Sequence, residues 1–136
     1  MHITQAEYDA LVRRGHLPPL DKKPRPPDPY KSKAERLYAW ELERRKEIGE
    51  IVFWAYEPVT LVIVSGEKRC RYTPDFMVVY SYLYDVGYTL EFVEVKGGSG
   101  FCREAARIRF LAARERYPFW LFSMVRRHKS SWETIL

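Results

Sequence analysis

The chain has 136 residues, a length that suits a single hydrophobic core and is short for two. Apolar residues make up 46% of the chain and aromatic residues 15%, a composition that excludes an intrinsically disordered protein. The formal net charge is +5, and this basic balance favours polyanionic partners such as nucleic acid without fixing the fold.

The N-terminal region is predicted to consist of a helix and a proline-rich arm. The helix covers residues 3–14, with Thr4 as its N-cap and Gly15 ending it. The run LPPLDKKPRPPDPY, residues 17–30, then holds six prolines and three Lys or Arg residues, which indicates an extended basic segment. Two interpretations stay open: a solvated linker, or an arm that contacts DNA or a partner subunit.

The middle of the chain is predicted to form a helix and three strands. The helix runs from Ser32 to Gly49, with Ser32 as its N-cap and Glu35, three residues later, as in a capping box. The strand candidates are joined by short turns, suggest an antiparallel meander and cover residues 51–64, 70–82 and 88–96. The first of these strands is expected to bend or bulge near Pro58.

The last third of the chain is predicted to contain a helix and a strand. After the break GGSG, residues 101–117 form an amphipathic helix that buries Ile108 and turns a row of arginines outward. A short apolar strand over residues 118–127 follows, and residues 128–136 are an uncertain tail. Four large aromatic side chains are expected in the core: Trp40, Trp54, Phe119 and Trp120.

The order helix, three strands, helix, strand predicts an α/β fold with a mixed central sheet flanked by helices. The chain then divides into an N-terminal helix and arm (1–30), a folded core (31–127) and a C-terminal tail (128–136). Cys70 and Cys102 form no CxxC pair, so neither a zinc site nor a disulfide framework is suggested. With no signal-peptide pattern and no membrane-length apolar run, a cytoplasmic protein without a membrane partner is expected.

Charged residues interrupt two of the predicted apolar strands. RYTPDF carries Asp75 after Pro74, and EFVEVKGG places Glu94 and Lys96 on one face of the next strand. If these strands pair, the two carboxylates converge and repel each other unless a proton or a cation lies between them. Mg²⁺ suits such oxygen ligands, and its expected ligands are Asp75, Glu94 and the main-chain carbonyl of Val95. Lys96 would orient or activate a water molecule for hydrolysis of a phosphodiester.

The motif pair TPDF and EVK resembles the signature of the PD-(D/E)xK nucleases, and the order of elements resembles the restriction-endonuclease-like α-β-β-β-α-β core of that superfamily. Residues 31–126 also resemble small phage endonucleases of the endonuclease I and Holliday junction resolvase type. This resemblance implies a DNA endonuclease that uses Mg²⁺, with Mn²⁺ as a substitute, and acts first of all on branched DNA. It further implies the host-cell cytoplasm as the location, and paired cuts would require a homodimer.

Further site residues are predicted around this carboxylate pair. Glu35 would complete the metal shell or hold a metal-bound water, a role that depends mostly on the resemblance, and Glu57 is the alternative carboxylate. The expected contacts to the DNA backbone come from Lys33, Arg103 and Arg107. His16 and His128 have no partners at ligand spacing and are expected at the surface.

Simpler interpretations of the charged residues stay open. Asp75 would then only begin a strand and hydrogen-bond its own backbone, while Glu94 and Lys96 would be a weak surface ion pair. Two rival functions also stay open. One is a non-catalytic DNA-binding or assembly protein, and the other is a nuclease subunit that acts only within a transposition or recombination complex.

Overall fold

The structure is a computed structural model that describes residues 3–16, 28–64, 70–82, 87–97 and 104–136. Over these ranges the helices are α1 (Gln5–Arg13), α2 (Lys33–Glu47) and α3 (Glu104–Arg116). The strands are β1 (Phe53–Tyr56), β2 (Leu61–Val64), β3 (Cys70–Tyr72), β4 (Phe76–Ser81), β5 (Tyr88–Lys96), β6 (Leu121–His128) and β7 (Ser131–Thr134). Most of the proline-rich arm, together with Cys102 and Arg103, lies outside the described residues.

The centre of the molecule is a mixed sheet of five strands in the order β1-β4-β5-β6-β7. Neighbouring strands are antiparallel except β5 and β6, which are parallel and are joined by the crossover through α3. Strands β2 and β3 pair with each other in a separate antiparallel ladder. The predicted α/β class, with a mixed sheet flanked by helices, is confirmed.

The sheet separates two apolar cores, one under α2 and one under α3. Because side chains alternate along a strand, Val93 and Val95 of β5 face the α2 core, whereas Phe92 faces the α3 core. Glu94 and Lys96 therefore belong to the α3 face of the same strand. The predicted division of β5 into two faces is confirmed.

The predicted helix starts are present in the structure. Thr4 caps α1 with a reciprocal capping box to Glu7. The Ser32 hydroxyl accepts the N–H of Glu35 at 3.1 Å and so satisfies one of the free donors at the start of α2. Gly15 and Gly49 follow the two helices with φ of 75° and 83°, a left-handed backbone that suits glycine.

Two predicted strands are each divided into two shorter strands. Residues 51–64 form β1 in the main sheet and β2 in the small ladder, and residues 70–82 divide in the same way into β3 and β4. The breaks fall at Pro58 and Pro74, which have no N–H to donate to a ladder. The predicted bend near Pro58 is thus a change of sheet.

Three apolar side chains expected to be buried are exposed. Trp40 is 65% exposed while Leu42 is fully buried, because residues two apart on a helix point about 200° away from each other. On α3, Ile108 is exposed and the buried ring is that of Phe110, which packs against Tyr72 and Phe122. Phe119 is also exposed.

The other two aromatic predictions agree with the structure more closely. Trp54 packs against the α2 core and Trp120 against the α3 core, each partly buried. Residues 128–136, an uncertain tail in the sequence, contain β7, which pairs with β6. Its Trp132 ring lies 4.8 Å from the ring of Tyr38, so the end of the chain closes one side of the α2 core.

The described helices include none that is long and apolar enough to cross a membrane.

Leu42→Ala is expected to reduce the free energy of unfolding by about 2–5 kcal/mol, because it leaves a cavity in a fully buried site. Trp40→Ala, two residues earlier on the same helix, is expected to change it by less than about 0.5 kcal/mol. Urea denaturation measures both values. A larger loss for Trp40→Ala than for Leu42→Ala would contradict the observed orientation of α2.

Candidate active site

Asp75 and Glu94 come together where the ladder between β4 and β5 ends. The last paired residues are Phe76 and Val93, so one further step of the same register places Asp75 opposite Glu94. Alternation puts both side chains on the α3 face of the sheet, with Lys96 two residues beyond Glu94. The convergence predicted from the strand pattern therefore follows from the observed register.

Glu94 is the better compensated of the two carboxylates. Its Oε1 accepts the ammonium of Lys96 at 2.9 Å, and its Oε2 accepts the hydroxyl of Tyr72 at 2.8 Å. The Glu94 and Lys96 side chains are only 13% and 12% exposed. A pair this well shielded depends on its hydrogen bonds to offset the desolvation of both charges, unlike an exposed ion pair.

The Tyr72 hydroxyl is held as a donor. Its burial, followed by the negative charge of Glu94 and the hydrogen bond to it, raises the pKa of Tyr72 well above the usual range of a phenol. The proton therefore stays on the oxygen and points to Glu94.

Asp75 carries the charge that these contacts leave uncompensated. Its Oδ2 accepts the N–H of Val95 at 2.8 Å. Burial and the nearby charge of Glu94 raise the pKa of Asp75 to about 7, while the Val95 hydrogen bond and the Lys96 ammonium act in the opposite direction. Near neutral pH this carboxyl group is therefore poised between holding a proton and accepting another cation.

The main chain adds an oxygen on the same side. In a strand, the N–H and the C=O of one residue point to the same neighbouring strand, so the Val95 carbonyl faces β4 as its N–H does. Two steps beyond the last paired residues, the register places Pro74 opposite Val95. Proline has no N–H to give to that carbonyl, so β4 supplies no main-chain donor for the oxygen.

Glu35 approaches this end of the sheet from α2. It is a buried charged residue, 8% exposed, and its Oε2 accepts the Tyr56 hydroxyl at 2.6 Å and the N–H of Lys31 at 3.0 Å. The carboxylate thus reaches past the Ser32 cap, and its charge contributes to the raised pKa of Asp75. Burial and the hydrogen bond to Glu35 raise the pKa of Tyr56.

Glu57 lies on the other flank of Asp75. Its N–H donates to the main-chain oxygen of Asp75 at 2.8 Å, and its side chain forms an ion pair with the Lys31 ammonium. Its φ of 42° is in the left-handed region, an unusual conformation for a residue with a side chain. Glu57 therefore marks the turn at which the chain leaves β1.

Two carboxylates and a main-chain carbonyl offer only oxygen donors, which suits a hard divalent cation. Over the described parts of the chain, no group of three or more His, Cys, Asp or Glu side chains is arranged to hold a metal ion. The role of Glu35, as a further ligand or as the holder of a metal-bound water, stays a prediction. Mg²⁺ commonly keeps several waters and is held through only one or two carboxylates. Asp75, Glu94 and the carbonyl of Val95 meet that requirement.

Several residues that contribute to this end of the sheet were not predicted from the sequence. Tyr72 and Tyr56 orient the carboxylates of Glu94 and Glu35, and Lys31 lies between Glu35 and Glu57. The segment RYTPDF contained a signal for Tyr72, since it ends β3 just before Pro74. The other two are recognisable only once β1 lies beside α2.

The predicted DNA contacts have different positions. Lys33, in the first turn of α2, lines a cavity of about 410 Å³ next to Gly97. Arg107 is exposed on α3, and Arg103 lies outside the described residues. His16 and His128 are exposed, as predicted.

Comparison of the chain with known protein families, curated proteins and solved structures finds no match. The resemblance to PD-(D/E)xK nucleases therefore stays a prediction from the motif residues.

Asp75→Asn is expected to stabilise the protein at pH 8 in metal-free buffer. The pKa of Asp75 rises from 3.8 to about 7 on folding, so the folded state binds the proton more tightly and stability falls as pH rises through that window. Asparagine cannot ionise and still offers an oxygen to the N–H of Val95. Because one pKa unit corresponds to about 1.4 kcal/mol, the gain should be a few kcal/mol.

Urea denaturation at several pH values checks this expectation. The difference between Asp75→Asn and the wild type should shrink toward pH 4, where the wild-type carboxyl is protonated in the folded state and partly protonated in the unfolded state. Asp9→Asn, at an exposed carboxylate on α1, controls for the loss of one acidic group. Equal pH profiles for the wild type and Asp75→Asn would contradict the uncompensated charge on Asp75.

Proposed function

We propose that the protein is a metal-dependent DNA endonuclease with a restriction-endonuclease-like fold, acting first of all on branched DNA of the Holliday junction kind. The observation that carries the proposal is the pair Asp75 and Glu94 at the end of one ladder, with Lys96 bonded to Glu94. Within the main sheet and its flanking helices the order α2, β1, β4, β5, α3, β6 gives further support, because it agrees with the α-β-β-β-α-β order of such nucleases once the separate pair β2 and β3 is set aside.

The groups that would hold Mg²⁺, or Mn²⁺ in its place, are Asp75, Glu94 and the carbonyl of Val95, and the ion would supply positive charge and lower the pKa of a bound water. The protein fixes these oxygens beforehand. One oxygen of Glu94 accepts a hydrogen bond from Tyr72 and the other accepts one from Lys96. Asp75 accepts one from the N–H of Val95. Among the described residues no other hydrogen bond reaches these two carboxylates, and their remaining lone pairs would bind the cation.

Lys96 is the residue best suited to act on the reacting groups. Its ammonium can donate three hydrogen bonds, of which one goes to Glu94. The others can orient a water molecule and stabilise negative charge on a phosphate oxygen. Hydrolysis forms a bond from the water oxygen to phosphorus and breaks the bond to the leaving oxygen, which takes a proton as a water proton is released.

We also propose a substrate, a location and an oligomeric state for the reaction. The substrate is DNA, and the place of action is the cytoplasm of the host cell if the protein is phage-encoded. Coordinated cuts in two strands of a junction require a homodimer, since one chain offers one such carboxylate pair among its described residues.

The second candidate is a non-catalytic DNA-binding or assembly protein of the same fold. It would bind DNA through exposed basic residues such as Arg107 and would need no metal ion at Asp75 and Glu94. A nuclease subunit that acts only beside a partner in a recombination complex would also fit this arrangement.

Cleavage of labelled junction, flap, single-stranded and duplex DNA with Mg²⁺ tests the proposal. We expect the wild type to cut the junction, and Asp75→Asn and Lys96→Met to lose at least about 100-fold in rate while DNA binding persists. Asp9→Asn serves as the matched control. Wild-type rates in both site variants would contradict the assignment, and the absence of cleavage with Mg²⁺ or Mn²⁺ on every substrate would favour the non-catalytic candidate.

Glu35→Gln and Glu57→Gln compare the two further carboxylates. Because Glu35 is buried and its charge acts on Asp75, its loss should reduce cleavage by at least about tenfold and lower the pH at which activity appears. Glu57→Gln, which interrupts an ion pair with an exposed lysine, should have a smaller effect. The pH profile of the cleavage rate measures both, and a larger effect for Glu57→Gln would reverse the order.

A further inference from the structure

A cleft of about 280 Å³ opens beside Glu94 on the α3 face of the sheet. Its walls come from β3, the turn that follows β3, β5 and α3, and its lining includes Arg71, Tyr72, Thr73, Glu94, Ala106 and Arg109. Two guanidinium groups therefore share a small cavity with a carboxylate of the proposed active site. Neither arginine was among the candidates found in the sequence.

Most basic residues around α2 are paired with an acid, unlike these two arginines. Lys31, Arg36, Arg44 and Arg45 each form an ion pair with a neighbouring acid. For Arg71 and Arg109 the described parts of the chain show no ion pair, and both residues are exposed. Their charges are thus available to an anion from outside.

A second cluster of cations lies on the opposite face of the sheet. A cavity of about 410 Å³ next to Gly97 has three basic residues in its lining, Lys33, Arg127 and Lys129, beside the apolar Ala34 and Leu37. Over the described ranges these three residues also form no ion pair. Because β5 and β6 are parallel, their carboxyl ends meet here, where ligands of open α/β sheets commonly bind.

The two clefts open on opposite faces of the sheet near the end of β5. The first contains Glu94 itself, and the second begins one residue after Lys96. A phosphate that approaches Asp75 and Glu94 is repelled by their negative charge, of which Glu94 is paired with the Lys96 ammonium, so further positive charge nearby would favour its binding. Arginine supplies that charge with a planar set of donors that matches phosphate oxygens.

We propose that the two clefts bind the backbone of one DNA strand on either side of the phosphodiester to be cut. Arg71 and Arg109 hold phosphate on the α3 side, and the basic residues around Gly97 hold phosphate on the α2 side. The strand then crosses the end of the sheet at Asp75 and Glu94. The position of the cut relies on the proposed nuclease function, whereas the binding of the backbone by the two clefts does not.

The test measures DNA binding separately from cleavage. Asp75→Asn serves as the background, without divalent ions, and fluorescence anisotropy of a labelled duplex gives the dissociation constant between 50 mM and 300 mM NaCl. Each phosphate contact contributes about 0.9 to the slope of log K against log salt. We expect Arg71→Gln and Arg109→Gln each to lower the slope by about one and to weaken binding on the order of tenfold near 0.1 M salt.

The three lysine and arginine positions of the second cleft are tested in the same way. The combined change of Lys33, Arg127 and Lys129 to Gln should lower the slope by about two to three. Arg71→Lys and Arg109→Lys keep the charge, so they should retain most of the slope. They also serve as reference variants if a glutamine variant has a lower melting temperature.

Arg116→Gln is the matched control. Arg116 lies on α3 seven residues after Arg109, about 10 Å further along the same helix face, and it does not line the cleft. Its slope should equal that of the background protein. An equal drop in slope for Arg116→Gln and Arg109→Gln would overturn the proposal, because binding would then follow overall charge.

Two further outcomes separate this proposal from the proposed function. Cleavage by the wild type together with unchanged slopes in the Arg71 and Arg109 variants would overturn the clefts and leave the nuclease standing. Reduced slopes without cleavage of any substrate would support the clefts and count against the nuclease.

Discussion

The hydrogen bond from the N–H of Val95 to Asp75 closes the point where the ladder between β4 and β5 ends, and the surrounding residues depend on it. The bond fixes Asp75 opposite Glu94, although the two charges repel each other. Glu94 is balanced by Lys96 and Tyr72, so the unfavourable energy is concentrated on Asp75 and appears as its raised pKa. Because this repulsion is part of the folded structure, a cation bound beside Asp75 and Glu94 would be stabilising.

Proline creates the opening in which these groups meet. Pro58 and Pro74 stop two ladders at the same end of the sheet, and the chain between them forms the separate β2 and β3 pair. Without those stops, the main-chain groups near Asp75 would be consumed by continuous pairing. The interruption of regular structure thus leaves the Val95 carbonyl without a main-chain donor from β4, and it also places β3 close enough for Tyr72 to contact Glu94.

The sequence predicts those features that depend on local rules. The caps Thr4 and Ser32, the class of the fold and the two faces of β5 all follow from patterns of three or two residues. The burial of Leu42 and the exposure of Trp40 could not be predicted in this way, because charges surround α2 and tertiary packing selects its inner face. Arg71 and Arg109 belong to no motif, and only the packing of β3 against α3 brings them together.

The hydrogen bond from Tyr72 also links the carboxylate site to the small ladder of β2 and β3. That ladder is attached to α3, since the Tyr117 hydroxyl donates to the main-chain oxygen of Val62 at 2.7 Å. Glu94 therefore keeps its hydrogen bond from Tyr72 only while β3, which packs against α3, stays docked beside β5.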